Sequence, residues 1–211
     1  MAKGMFITLE GPDGSGKTSH VQPLADFIKS LGYDVRTTRE PGGTLIGDQV
    51  RAILANTDNT AMQPRTELLL FQASRAQLVD EVILPHLQKG GILLSDRYAD
   101  STLAYQGYGH QLPLEKLESV VHFATGGLKP DLTLFLDVDV EEGLRRRASG
   151  GDWNRLDAYD LEFHRRAYAG YQRLIAAEPQ RWVIVDARPP WEDVQKALRN
   201  AVRTRLEALT L

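Results

Sequence analysis

The sequence predicts an α/β domain with a mostly parallel sheet and helices on both faces. Three observations carry that prediction. Five strand-length apolar runs, most of them rich in Ile, Val, Leu or Phe, recur along the chain: Phe6–Glu10, Asp34–Arg39, Gly91–Asp96, Asp131–Asp137 and Arg181–Asp186. Longer stretches with helical spacing separate them. Four of the five end on a carboxylate, at Glu10, Asp96, Asp137 and Asp186. In an open parallel sheet the carboxyl ends share one edge, and ligands bind there. Asp also terminates strands and caps helices without any ligand, so Asp137 and Asp186 suit either purpose.

Composition narrows the class. A chain of 211 residues with no repeat or low-complexity linker is expected to form a single domain over 1–211. It has no cysteine, which excludes disulfides, thiolate metal sites and cysteine nucleophiles and fits a reducing compartment. Lys+Arg 25 against Asp+Glu 28 gives a net charge of −3, which disfavours a nucleic-acid polymer as partner but allows a local basic pocket. No apolar run reaches the ~20 residues of a membrane span, and Met1 to Met5 lack a signal peptide's apolar core. The expectation is a soluble cytoplasmic protein with no membrane partner.

The first run leads into Gly11-Pro-Asp-Gly-Ser-Gly-Lys-Thr18, a full match to G-x-x-x-x-G-K-[ST]. A helical stretch, Lys17 to about Ser30, follows with Val21, Leu24, Ala25 and Ile28 on one side. Gly11, Gly14 and Gly16 let the backbone curl so that N–H groups point inward. The helix N-terminus adds positive dipole. Lys17 can reach β- and γ-phosphates and the Thr18 hydroxyl can ligate Mg²⁺. Asp13 is out of place in an anion cradle. It should point outward, toward a second ligand or a cationic partner.

The second run ends at Arg39 and opens Thr38-Arg-Glu-Pro-Gly-Gly-Thr44, where a turn at Pro41-Gly42 can expose Arg39 and Glu40 at the ligand edge. Arg51 lies on the next helical stretch. A plain strand–helix connection would look similar. From Arg65 to Leu87, Leu68, Phe71, Arg75, Leu78 and Val82 share one helical face. Arg75 interrupts that stripe, and a buried guanidinium needs an acidic or polar partner. Phe71 and Arg75 together suit a planar base with carbonyl oxygens. An Arg snorkelling beside a core Phe fits the spacing equally well.

The third run ends in Asp96-Arg97-Tyr98. Beside the glycine-rich strand, Asp96 would hold Mg²⁺ through water, and Arg97 could bridge phosphoryl oxygens. After the fourth run comes the basic segment Leu144 to Asp157, broken by Gly150-Gly151. It reads either as a cationic flap over phosphates or as a solvated helix end whose arginines complement the dipole. The five histidines show no ligand spacing.

Taken together, the motifs closely resemble thymidylate kinases of bacterial type. The matching segments are Glu10 to Thr18, Thr38 to Thr44, Phe71-Gln-Ala-Ser-Arg75, Asp96 to Gly107, Gly127 to Asp137 and Asn154-Arg-Leu-Asp157, in family order from Met5 to about Val194. The resemblance implies a P-loop NTPase fold: a five-stranded parallel sheet, flanking helices and a mobile lid at about 145–157. It implies Mg²⁺-dependent transfer of the ATP γ-phosphoryl to dTMP, and a homodimer paired through long helices, with Arg65–Leu87 a candidate.

Carried over by position, residues Gly11 to Thr18 would bind ATP, that is Gly11, Pro12, Asp13, Gly14, Ser15, Gly16, Lys17 and Thr18, with Mg²⁺ on Thr18 and Asp96. Arg146 would lie against adenine, with Asp186-Ala187-Arg188 near the same base. On the dTMP side, Phe71 would stack on thymine and Arg75 would bond its O4. Glu40 and Pro41 would belong to that site, Thr102 and Gln106 would line it, and Tyr105 would crowd the 2′ position. Arg51 and Arg97 would hold the dTMP phosphate, and Asp13 would contact the 3′-hydroxyl or orient nearby cations. Catalysis would rest on Asp13, Lys17, Arg97 and a lid arginine. Some relatives carry an Arg where this chain has Gly14, and others carry one at the lid centre, here Ser149-Gly-Gly-Asp-Trp153. Arg147 and Arg155 remain as the lid candidates.

Three other readings are separable by experiment. A kinase for another nucleoside monophosphate would show in a substrate panel. A nucleotide switch should carry an N-K-x-D motif, which Asn154-Arg-Leu-Asp157 does not match. An inactive scaffold would bind dTMP without turnover.

Overall fold

The computed structural model describes residues 4–150 and 154–209. All five predicted strands form, within a residue of their expected bounds: β1 (Met5–Glu10), β2 (Val35–Arg39), β3 (Ile92–Asp96), β4 (Leu132–Asp137) and β5 (Trp182–Asp186). They make one sheet in the order β2-β3-β1-β4-β5, with every pair parallel. Asp96 lies in register with Leu9 and with Arg39, and Asp137 with Asp186, so the strand-ending carboxylates share one edge. After β1 the chain turns to one side for β2 and β3, then to the other for β4 and β5. The glycine-rich loop leaves the sheet at that switch point.

Strand β1 is buried along its whole length and sorts its side chains by period two. Met5, Ile7 and Leu9 face a core shared with Val21, Leu24, Ala25 and Ile28 of α1 (Lys17–Ser30) and with Val194, Leu198, Val202 and Leu206 of α9 (Trp191–Leu209). Phe6 faces the opposite core with Leu93, Leu78, Val82, Ile83 and Tyr98. Thr8 meets Thr133 there, hydroxyl to hydroxyl at 3.0 Å. Glu10 ends that face, beside the ligand edge.

The helix expected over Arg65–Leu87 is a continuous helical path in three pieces: α3 (Pro64–Leu78), a π-helical turn at Val79–Ile83, and α4 (Leu84–Gln88). Pro85 has no N–H for the carbonyl one turn back and its ring crowds that carbonyl, so a widened turn just before it relieves both. A second π turn, Leu103–Gly109, extends the short α5 (Ala99–Thr102) and precedes α6 (Leu114–Thr125). Helix α2 (Leu45–Ala55) starts at Thr44, whose hydroxyl accepts from the Gly47 amide at 2.9 Å. Helix α7 (Val140–Ser149) stops at Gly150, where the sequence places a helix break. Residues 151–153, the centre of the expected flap, lie outside the described residues. A 3₁₀ turn at Arg155–Ala158 then leads into α8 (Leu161–Ala177). Among the described residues, no helix is long and apolar enough to cross a membrane.

Candidate active site

Gly11, Gly14 and Gly16 all take positive φ, at 143°, 73° and 89°. Gly14 has a second reason to be glycine. A Cβ there would lie 1.8 Å from the carbonyl oxygen of Gly143 on α7, so the loop tip and α7 touch backbone to backbone. Gly16 caps α1 without a side-chain bond, which leaves the first-turn amides facing the loop. The Lys17 ammonium is buried in the curl and donates to Gly11 O at 3.0 Å, Pro12 O at 2.8 Å and Ser15 Oγ at 3.2 Å. Burial, reinforced by the Arg97 cation, pulls its pKa down to about 8. Thr18 Oγ1 donates to Asp96 Oδ2 at 2.6 Å, joining the loop to the end of β3.

Asp13 resolves in favour of a cationic partner. Its Oδ1 accepts from Arg97 Nη2 at 2.6 Å and its Oδ2 from Tyr105 Oη at 2.9 Å. Burial alone would raise this carboxyl, but Arg97, Lys17 and His164 outweigh it and hold the group below its ordinary value. Arg97 itself sits at φ 68°, a left-handed conformation unusual for a long side chain. That turn swings its guanidinium back over β1, where it also donates to Gly11 O at 3.2 Å and Ser101 Oγ at 3.0 Å and lies 5.0 Å from the centre of the Tyr105 ring. Glu10 fixes the segment from below. It accepts from the Tyr98 amide at 2.8 Å, Ser101 Oγ at 2.6 Å and Tyr171 Oη at 2.7 Å. Burial, with Asp100 adding to it, pushes the Glu10 carboxyl up to about 7.

Arg75 does not snorkel. It is 1% exposed, and the acidic partner its stripe demanded is Glu40. Arg75 Nε donates to Glu40 Oε2 at 2.9 Å, Nη2 donates to the same carboxylate, and Nη1 donates to Thr102 Oγ1 at 2.8 Å and Gln72 Oε1 at 2.9 Å. Burial pushes the Glu40 carboxyl up against the opposing pull of Arg75. Arg51 Nη1 donates to Pro41 O at 3.0 Å, so the turn after β2 and α2 hold each other.

Many of these groups line one cavity of about 630 Å³, within the usual size of small-ligand sites. Lys17, Thr18, Asp96 and Arg97 stand at its middle. Phe71, Arg75, Thr102, Tyr105 and Gln106 form one wall, with Glu40, Pro41 and Arg51 beside them, and Arg146 and Arg147 of α7 overhang it. Arg147 Nε and Nη2 grip both oxygens of Asp157 at 2.9 Å. Arg146 Nη1 donates to Ala187 O at 2.9 Å, which brings the turn after β5 alongside. Arg188 lies outside the lining, exposed and bonded to Asp186 at 2.8 Å. Arg155 is also outside it: buried, it points to Glu67 at 2.6 Å and to Leu54 O at 2.8 Å.

Sequence reasoning passed over Glu67, Tyr159 and Phe163, which line the same cavity. A signal for Glu67 existed, since positions 67, 71 and 75 fall on one helical face. Nothing local marked the other two. His164, read as ordinary, has Nδ1 3.7 Å from Asp13.

The donor set at Thr18 and Asp96 is all oxygen, which suits a hard cation that keeps its waters and shares phosphates. Among the described residues no cluster of three or more carboxylates or histidines forms a protein-only metal cage. An anion cradle with its lysine on one side, and an aromatic and guanidinium wall on another, open onto one cavity that Arg97 also lines. That defines a P-loop phosphotransferase acting between nucleotides.

Comparison with known proteins gives the particular family. The model of the thymidylate kinase family matches residues 9–198. Thymidylate kinases of Roseiflexus sp. (strain RS-1) and Herpetosiphon aurantiacus are each 47% identical, covering 98% and 97% of this chain and 96% and 98% of their own. The crystal structure of thymidylate kinase from Ehrlichia chaffeensis superposes with a TM-score of 0.78 at 30% identity, covering 95% of this chain and 99% of that one. The chain belongs to the thymidylate kinase family, as its motifs implied. It is a kinase of the P-loop fold, and the family's reaction is transfer of a phosphoryl group from ATP to dTMP, giving dTDP.

Proposed function

We propose that this chain carries out that transfer by bringing the γ-phosphate of ATP and the phosphate of dTMP together between Lys17 and Arg97. The observation that carries the proposal is the Asp13–Arg97 contact at 2.6 Å, which fixes a guanidinium where the phosphate cradle meets the aromatic wall. The loop N–H groups from Asp13 to Thr18 hold the donor phosphates, with Lys17 on the β- and γ-groups. Arg146 and the turn at Asp186 to Arg188 flank the donor base. Phe71 stacks on thymine, Arg75 donates to its O4, and Thr102 and Gln106 line its edge. Tyr105, tied to Asp13, closes the space at the sugar 2′ position. Arg51 and Arg97 hold the acceptor phosphate.

The acceptor oxygen is already anionic near neutral pH, so no general base is needed. What remains is positioning and charge neutralisation. Mg²⁺, when bound, neutralises charge on the donor phosphates, and Thr18 and Asp96 would hold it. Of the two lid candidates, Arg147 faces the cavity and Arg155 does not, so Arg147 is the cation brought to the transferred group.

The enzyme is further proposed to act in the cytoplasm as a homodimer. Leu45, Ile46 and Ile53 on α2 and Leu69 on α3 are exposed on neighbouring helices and offer an apolar face to a second copy. Sedimentation at micromolar concentration should show a dimer, and a monomer would refute that part.

The direct test is ADP release from ATP with dTMP, AMP, CMP or dUMP as acceptor, with Mg²⁺ or with a chelator, beside Lys17→Ala. Turnover should favour dTMP strongly over AMP and CMP, and should vanish with the chelator and in the variant. Equal turnover of AMP or CMP would move the chain to a different monophosphate kinase.

A further inference from the structure

We propose that Arg155 and Glu67 form a buried positioning pair that seats the root of the lid against the acceptor wall, so that acceptor affinity depends on an arginine that never meets the transferred phosphoryl group. The inference rests on the functional reading above and deepens it. Glu67 is 1% exposed and collects four donors from distant parts of the chain. Arg155 Nη2 and Tyr159 Oη each reach its Oε2 at 2.6 Å, while Gln106 Nε2 at 2.9 Å and His110 Nε2 at 3.1 Å meet its Oε1. Arg155 Nε then extends to Leu54 O, at the end of the helix that carries Arg51.

One carboxylate therefore joins three parts of the acceptor side, α3, the π turn and the lid root, and reaches α2 through Arg155. It sits on α3 one turn before Phe71, bonds the Gln106 of the π turn, and takes the lid root through Arg155 and Tyr159. Asn154 and Asp157 cap that root reciprocally, and Asp157 is the anchor of Arg147. Burial alone would raise the Glu67 carboxyl. Hydrogen bonds from His110, Tyr159, Arg155 and Gln106 outweigh it and bring it to about 2, so the hub stays anionic at any working pH. Breaking such a pair leaves one buried charge uncompensated, and the groups it holds move together.

The test is steady-state kinetics and melting of Glu67→Gln, Arg155→Lys, their double variant and Tyr159→Phe, beside Arg147→Ala. Arg155→Lys keeps the charge but loses the fork that spans Glu67 and Leu54. The expected result for each charge-pair variant is a KM for dTMP raised about tenfold, with kcat within about threefold and KM for ATP unchanged. The double variant should remain near tenfold, because the two residues act as one unit. Tyr159→Phe, the mildest change, should raise KM for dTMP about threefold and fold even if the others do not. Three outcomes would overturn the inference: a kcat loss of about a hundredfold at unchanged KM for dTMP, effects that multiply in the double variant, or lowered melting temperatures with unchanged kinetics. Parent turnover is the separate control. Failure of the functional reading appears in the parent enzyme, whereas failure of the positioning inference appears only between parent and variants.

Discussion

Removing Arg97 should do two kinds of damage, and the structure separates them. In Arg97→Ala the phosphoryl groups lose a fixed cation. At about 4 Å and an effective dielectric near 20, one such contact is worth about 4 kcal/mol, or roughly a thousandfold in rate. Asp13 meanwhile loses its 2.6 Å partner and keeps the Tyr105 hydroxyl with the more distant Lys17 and His164, so an under-compensated carboxylate then faces two anionic nucleotides. The expected loss in kcat is 10²–10⁴-fold, about 3–5 kcal/mol. Adding Asp13→Asn removes the exposed anion and should restore about tenfold of that loss, although Asp13→Asn alone is harmful because it loosens Arg97. Coupled detection of ADP at saturating ATP and dTMP measures both, with melting curves to confirm that the variants fold. A loss below threefold in Arg97→Ala, or a double variant whose loss is the product of the singles, would rule out this role for Arg97 and its coupling to Asp13.

Other perturbations have equally definite signs. Lys17, lowered to about 8 by burial, must be an ammonium to hold phosphate, so kcat/KM for ATP should fall as pH rises through about 8, while bound phosphate carries the corresponding limb of kcat to higher pH. A profile flat from about pH 6 to 10 would remove Lys17 from phosphate binding. Glu67 is depressed in the folded state, from 4.5 to about 2, so its stabilisation is complete above about 4.5 and disappears as pH falls toward 2. The full shift corresponds to about 3 kcal/mol, and Glu67→Gln should flatten the acid limb of denaturant stability by about that much. Glu10 runs the other way. Raised to about 7, it favours the fold below about 4.5 and withdraws that support as pH climbs toward 7, so Glu10→Gln should flatten stability in that interval. Gly143→Ala places a Cβ 2.3 Å from Asp13 O and should push α7 off the phosphate loop, lowering the melting temperature by several degrees and raising KM for ATP. A melting temperature within about a degree of the parent's would show that the close approach is not tight.

The parts legible in the sequence are those set by neighbours along the chain. Strand bounds came from short apolar runs, and the phosphate loop from a glycine spacing that only a curled backbone needs. Arg75 announced a buried cation because it broke a helical stripe, and the structure supplies Glu40 as its partner. Illegible were the choices decided by contacts distant in sequence. Asp13 pointed away from the cradle on electrostatic grounds, but its partner stands at position 97, across the sheet edge. Arg147 and Arg155 are indistinguishable as arginines near a glycine break. What separates them is which carboxylate each meets, Asp157 ten residues on or Glu67 eighty-eight residues back. Burial pushes the Glu10 carboxyl up, and the groups that meet it there, Tyr98, Ser101 and Tyr171, are likewise distant in the chain. The interruption of the long helix at Val79–Ile83 could have been suspected from Pro85, since proline disturbs the turn before it.

The proposed geometry brings both nucleotides into one cavity, their phosphates facing each other between the loop lysine and the guanidinium after β3. A crystal structure with dTMP and a non-hydrolysable ATP analogue bound together tests it most directly. The expected result is the dTMP phosphate within hydrogen-bond reach of Arg97, thymine over Phe71, and the analogue's terminal phosphate at Lys17. A dTMP phosphate remote from both cations, or thymine bound on the Arg146 side, would contradict it.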